Sequence, residues 1–151
     1  MLFATHILMG IVAFLALKFV FNSEQIIVTF LLVILGSVLP DIDEPHSKIS
    51  KASGPLGTVL AFFFKHRGIL HSIFVYCLLW GVVWYFWSFA YGLALFVGYC
   101  SHILMDSLTK GGIRPFLPFS GVVVRGPIRV GTLGERVLAV GLFVLVLFLI
   151  L

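Results

Sequence analysis

Residues 69–105 form an apolar stretch of 37 residues without a single Asp, Glu, Lys or Arg. A bilayer core of ~30 Å is crossed by about 20 residues of helix. This stretch is therefore expected to cross, turn and cross back. The aromatic cluster Trp84, Tyr85, Trp87 and Tyr91 marks the bend at a membrane–water interface, where such rings collect. Residues 3–21 form a first span, interrupted only by Thr5, His6 and Lys18, and the polar run Asn22-Ser23-Glu24 ends it. Residues 26–39 form a shorter second span stopped by Pro40, and residues 137–151 a short last one. The ten-residue apolar piece 55–64 is too short to cross and reads as a re-entrant or interfacial helix.

Composition agrees. The chain is 61% hydrophobic and 11% charged, with a mean hydropathy of +1.18, whereas soluble domains carry about 25% charged residues. A water-facing globule is excluded. The expectation is one membrane-embedded, all-α domain over residues 1–151, with about five transmembrane helices. The first ten residues lack a basic region and a small-residue cleavage site, so they read as a retained first helix. Cys77 and Cys100 lie in apolar runs without CxxC spacing and read as core side chains.

Nine of the ten Lys and Arg residues fall in two loops, 41–67 and 107–136, which this topology places on one side of the membrane. The positive-inside rule assigns that side to the cytoplasm, together with the N-terminus. The net charge of +4 then needs no nucleic-acid partner. Basic residues beside a membrane serve orientation and contact with anionic lipid.

Ionisable groups in membrane spans are costly and tend to mark function. Here they gather at one level: His6 opens the first span, Asp41 and Asp43 end the second, His66 and His71 begin the third, and His102 and Asp106 end the fourth. His102 and Asp106, four apart, share one helix face. Small Gly98 and Ser101 precede them and permit close helix approach. His66 and His71 are about 140° apart on an ideal helix, so His66 is expected ahead of the helix, on a bend at Gly68. Asp41 and Asp43 follow Pro40, and in an extended segment they would point the same way. Two carboxylates so aimed call for a cation between them. Singly, each residue reads more simply as a cap or interfacial anchor. Glu44 and His46 fit a solvated loop, with Glu44 a candidate base, and Lys18 snorkels to the far interface.

The pattern Thr5-His6 with Gly10, Leu39-Pro40-Asp41-Ile42-Asp43, His66-Arg67-Gly68 with His71-Ser72, Gly98-Tyr99 with Ser101-His102 and Asp106, then Thr109, resembles the YdjM-like family. That family is also described as LexA-binding, inner-membrane-associated, metal-dependent hydrolases. The likeness runs from Thr5 to about Pro118, and Leu70 stands where the family pattern has Thr. The resemblance implies a multi-helix membrane hydrolase using divalent metal. A looser likeness is to zinc-dependent phospholipase C and related nucleases.

Four His and three Asp exceed the needs of one four-coordinate zinc. The surplus suggests two ions, an arrangement common in phosphoester hydrolysis. Mixed imidazole and carboxylate ligands suit zinc or manganese. Arg67, and after it Arg114, could hold a phosphate bidentately. A site at headgroup level points to a phospholipid or other amphiphilic phosphoester as substrate. The rival readings are a metal-ion transporter and a structural or regulatory membrane protein with a structural metal. In intact cells, cysteines introduced at Lys48 and Arg125 should escape an impermeant thiol reagent added outside. Labelling at either position would reverse the orientation.

Overall fold

The computed structural model describes residues 1–21, 23–44, 47–55 and 68–151. Six α-helices occur among them: α1 (Phe3–Leu17), α2 (Ile26–Val38), α3 (Lys48–Ala52), α4 (Ile73–Phe86), α5 (Phe89–Ser107) and α6 (Leu133–Ile150). No strand occurs among the described residues. Isolated bridges Thr109–Ile128 and Ile113–Val124 order the connection between α5 and α6. The expected all-α membrane architecture is the one found. The segments Phe3–Val20, Ile26–Asp43, Phe89–Ser107 and Leu133–Ile150 are long and apolar enough to cross a membrane. The fifth expected span is shorter: α4 has 14 residues, about 21 Å of helix. The expected re-entrant piece at 55–64 lies almost wholly outside the described residues.

Local chemistry sets the boundaries. Ser88 starts α5, its hydroxyl accepting the Tyr91 amide at 3.2 Å, so the apolar stretch folds back at Trp87-Ser88 within the expected aromatic cluster. Ser72 caps α4 by accepting the Phe74 amide, and its own hydroxyl donates to the Leu117 carbonyl. That bond ties the α5–α6 connection to the start of α4. Pro40 lacks an amide hydrogen and cannot prolong α2 regularly. The chain tightens instead into a 3₁₀ turn, Leu39–Asp43. The extended Asp41–Asp43 segment expected from sequence is thus corrected to a helical turn. A second correction concerns His71, which lies in the 3₁₀ turn Ile69–His71 just ahead of α4, not within its first turn. The last helix begins at Leu133 rather than 137 and takes in Glu135.

Lipid is as apolar as the side chains themselves, so helices in a bilayer associate through close packing rather than hydrophobic drive. Helix α5 packs on α1, α2 and α4, and α6 packs on α1. The tightest crossing joins α2 and α5. A Cβ on Gly36 would stand 2.3 Å from the Leu95 carbonyl oxygen, and one on Gly98 would stand 2.1 Å from that of Val33. A Cβ on Gly10 of α1 would stand 2.8 Å from the Ser37 hydroxyl oxygen. Apolar clusters of Phe14, Phe21, Val33 and Ala94 and of Val12, Met105, Leu142 and Val146 fill the space beside these crossings. Most of α6 faces outward, with Val137 and Phe148 exposed to lipid. The expectation that both cysteines lie in the core fails. Cys77 is exposed and Cys100 half-buried, because lipid accepts a thiol on the outer face of a helix as readily as a protein core does.

The glycine crossing yields a prediction. Gly98→Ala must force two backbones apart, at a cost of about 1–3 kcal/mol for overpacking. Gly141→Ala, where an added Cβ meets nothing within 4 Å, should be neutral. Thermal unfolding in detergent should separate the two. Equal melting temperatures would mean that α2 and α5 are not in backbone contact.

Candidate metal centre

Four segments deliver ionisable side chains to one buried spot. His6 comes from α1, Asp41 and Asp43 from the 3₁₀ turn after α2, His71 from the turn before α4, and His102 and Asp106 from α5. His6, Asp43, His71, His102 and Asp106 are essentially sealed from the surface. Donor atoms of Asp41, His71, His102 and Asp106 all lie within 4.8 Å of one another. His102 Nε2 stands 3.6 Å from Asp41 Oδ1 and 3.9 Å from Asp106 Oδ2, and His71 Nε2 stands 3.8 Å from Asp41 Oδ1. These are the separations of atoms facing a common point rather than hydrogen-bonding each other.

The orientation of each ring has a traceable cause. The glycine crossing brings the Ser37 carbonyl to 2.8 Å from His102 Nδ1. A carbonyl can only accept, so Nδ1 carries the hydrogen and the Nε2 lone pair is turned toward the carboxylates. A histidine that holds a metal through one nitrogen commonly gives the other to such an acceptor. His71 is held similarly. Its Nδ1 lies 3.4 Å from Asp43 Oδ2, and its backbone carbonyl accepts the Tyr99 hydroxyl at 2.8 Å. Tyr99 is itself stacked on Tyr76, with ring centroids 3.6 Å apart. Asp41 and Asp43 therefore address opposite nitrogens of His71 instead of pointing together at one cation, which follows from the helical turn replacing the extended segment.

His6 stacks on His102, with ring centroids 3.9 Å apart and planes within 10°. Its Nε2 stands 3.5 Å from Asp106 Oδ1 and 3.9 Å from Asp41 Oδ2. Asp106 Oδ1 also takes the Met1 amine at 2.5 Å, so that oxygen already faces a positive charge. Both ring nitrogens of His6 and Nε2 of His102 are buried and make no hydrogen bond among the described residues. A buried polar atom left so costs about 1–3 kcal/mol, and a cation between Nε2 of His6, Nε2 of His102 and the carboxylates would remove that cost for those two atoms. The Asp41 and Asp43 carboxylates beside the two nitrogens of His71 favour positive charge there, and the residues present fit a divalent metal.

The remaining expected site residues stand elsewhere. Glu44, half-buried, follows the 3₁₀ turn. His46, His66 and Arg67 lie outside the described residues. Arg114 is exposed on the connection between α5 and α6. Two functional groups escaped sequence reasoning. The Ser37 carbonyl leaves no side-chain signature. Glu135 could have been found, as a carboxylate close to the start of an apolar span. It is fully buried in the first turn of α6.

The chain matches the YdjM inner membrane protein family over residues 1–151. It is 36% identical to the inner membrane protein YdjM of Escherichia coli over 121 residues, covering 74% of this chain and 61% of that protein. It is 28% identical to the uncharacterized protein YvsG of Bacillus subtilis over 146 residues, covering 91% of this chain and 87% of that protein. No solved structure matches it. The spans, the whole-chain match and the relatives together identify the chain as a membrane protein belonging to the YdjM inner membrane protein family.

Proposed function

We propose that this chain is a membrane-embedded hydrolase that uses a divalent metal, zinc or manganese, to cleave a phosphoester of a lipid or other amphiphile. The observation that carries the reading is the set Asp41, His71, His102 and Asp106, whose donor atoms converge within 4.8 Å while His102 is already committed through Nδ1 to Ser37. Two imidazoles and two carboxylates suit zinc or manganese. His6, whose Nε2 faces Asp106 and Asp41, would join a second ion, for which His66 is the candidate further ligand. The chemistry such an ion supplies when bound is Lewis acidity toward an ester oxygen and a water of near-neutral pKa.

The protein's own part is orientation and exclusion of water. Ser37 and Asp43 fix the two imidazoles. Asp41, with 14% of its side chain exposed, is the member of the four-residue set open to the surface, so substrate would approach over it. Glu44, just beyond it, is the candidate base, and Arg67 the candidate phosphate clamp. An apolar cavity of about 430 Å³ lies alongside, lined in part by Ile42, Leu70, Val75 and Tyr76. Ile42 and Leu70 are chain neighbours of Asp41 and His71, which favours an amphiphile over a water-soluble ester. The distribution of basic residues supports a site at the cytoplasmic face.

A metal-ion transporter would need ionisable groups along the depth of the bilayer. The buried Asp, Glu and His residues among those described are His6, Asp43, His71, His102, Asp106 and Glu135, and all belong to the cluster or to the helix ends beside it. A structural metal would be closed to exchange and to phosphate, which separates that rival experimentally.

Purified protein should hold near-stoichiometric zinc or manganese, and a His71→Ala, His102→Ala double variant should not. Asp106→Asn, nearly isosteric, should still insert in the membrane yet bind metal more weakly than the ~10–100-fold loss typical of removing an outer partner. Arg67→Lys should keep its metal while weakening turnover in a screen of phospholipids and phosphoesters, because a point charge cannot replace the guanidinium fork. Wild-type metal affinity in Asp106→Asn would contradict the site.

A further inference from the structure

One buried acid takes no part in the cluster. Glu135 lies in the first turn of α6 and is sealed from the surface. Its Oε1 accepts the Leu2 amide at 2.6 Å and the Thr5 hydroxyl at 3.2 Å, and its Oε2 accepts the Gly131 amide at 2.6 Å. Leu2, the residue that leads into α1, supplies no side-chain cap, although the first amides of a helix have no partner within it. Glu135 supplies that partner from the far end of the sequence. The starts of α1 and α6 thereby meet on one carboxylate, which both helix dipoles favour. A carboxylate is expensive in this setting, and a Ser or Asp at position 2 would cap α1 more simply.

The arrangement gains meaning from its neighbour in sequence. Thr5, one end of the clamp, immediately precedes His6, whose ring lies 3.9 Å from that of His102 and whose Nε2 faces Asp106 and Asp41. A shift of the first turn of α1 would carry His6 with it. We infer that Glu135 is a positioning residue for the metal centre, clamping the start of α1 so that His6 keeps its place in the cluster. The inference rests on reading the cluster as a metal centre and adds how one of its members is held.

The test is a zinc titration of the detergent-purified full chain in four forms: wild type, Glu135→Gln, His6→Ala and the double variant. Glutamine keeps the size but sets an amide donor against donors. Glu135→Gln should weaken zinc binding about tenfold, the lower end for loss of an outer partner. It should cause no further loss once His6 is alanine. Thr5→Val, a gentler cut that removes one donor, should show the same pattern with a smaller shift. Unchanged affinity in Glu135→Gln, or equal losses with and without His6, would overturn the inference. A second measurement works without metal: carbethoxylation with diethyl pyrocarbonate, read by mass spectrometry. His6 should be protected in the wild type and become labelled in Glu135→Gln. His6 labelling that does not change would overturn the clamp, whereas a wild type that binds no zinc yet shows the labelling change would refute only the metal reading.

Discussion

Backbone contact between α2 and α5 is the constraint on which the rest depends. Gly36 and Gly98 let carbonyls of the opposite helix come where a Cβ would otherwise stand. Without that approach the Ser37 carbonyl could not reach His102 Nδ1. His102 would then lack the acceptor that fixes its tautomer and aims Nε2 at the carboxylates. In a bilayer the crossing has to be made by packing, since burial of apolar surface does not distinguish one helix pair from another. The same small residues thus hold the fold together and set the chemistry of the site.

The 3₁₀ turn after α2 divides the work between two neighbouring acids. Asp41 faces His6, His71 and His102, while Asp43 stands behind His71 on its other nitrogen. An extended segment would have aimed both at one point. The helical turn instead leaves one carboxylate inside the cluster and uses the other to hold a ring, the division typical of a histidine ligand and its orienting acid. On α5 the spacing of His102 and Asp106 serves the opposite purpose. Four residues along a regular helix bring both to the same face, and both enter the cluster.

Much of this was legible in the sequence, and for physical reasons. Span lengths follow from bilayer thickness, so the fold-back of residues 69–105 and its aromatic bend at Trp87-Ser88 could be placed closely. The gathering of His6, Asp41, His71, His102 and Asp106 followed from counting alternate helix ends. What escaped is what hydropathy and spacing do not encode. Pro40 ends α2, but the identity of a proline does not say whether the chain continues extended or as a tight turn, so the roles of Asp41 and Asp43 were not separable. Apolar runs do not reveal which face meets lipid, hence the misplacement of Cys77. Glu135 was lost among loop charges, because its partners are Leu2, Thr5 and Gly131, two of them from the other end of the chain.

The central claim is that imidazole and carboxylate groups of four separate segments hold one metal centre. X-ray absorption at the zinc edge of the metal-loaded, purified protein tests it most directly. The account predicts a shell of nitrogen and oxygen alone at about 2.0–2.2 Å, with the outer scattering of at least two imidazoles, those of His71 and His102. Sulphur at about 2.3 Å, or an oxygen-only shell without imidazole scattering, would contradict it.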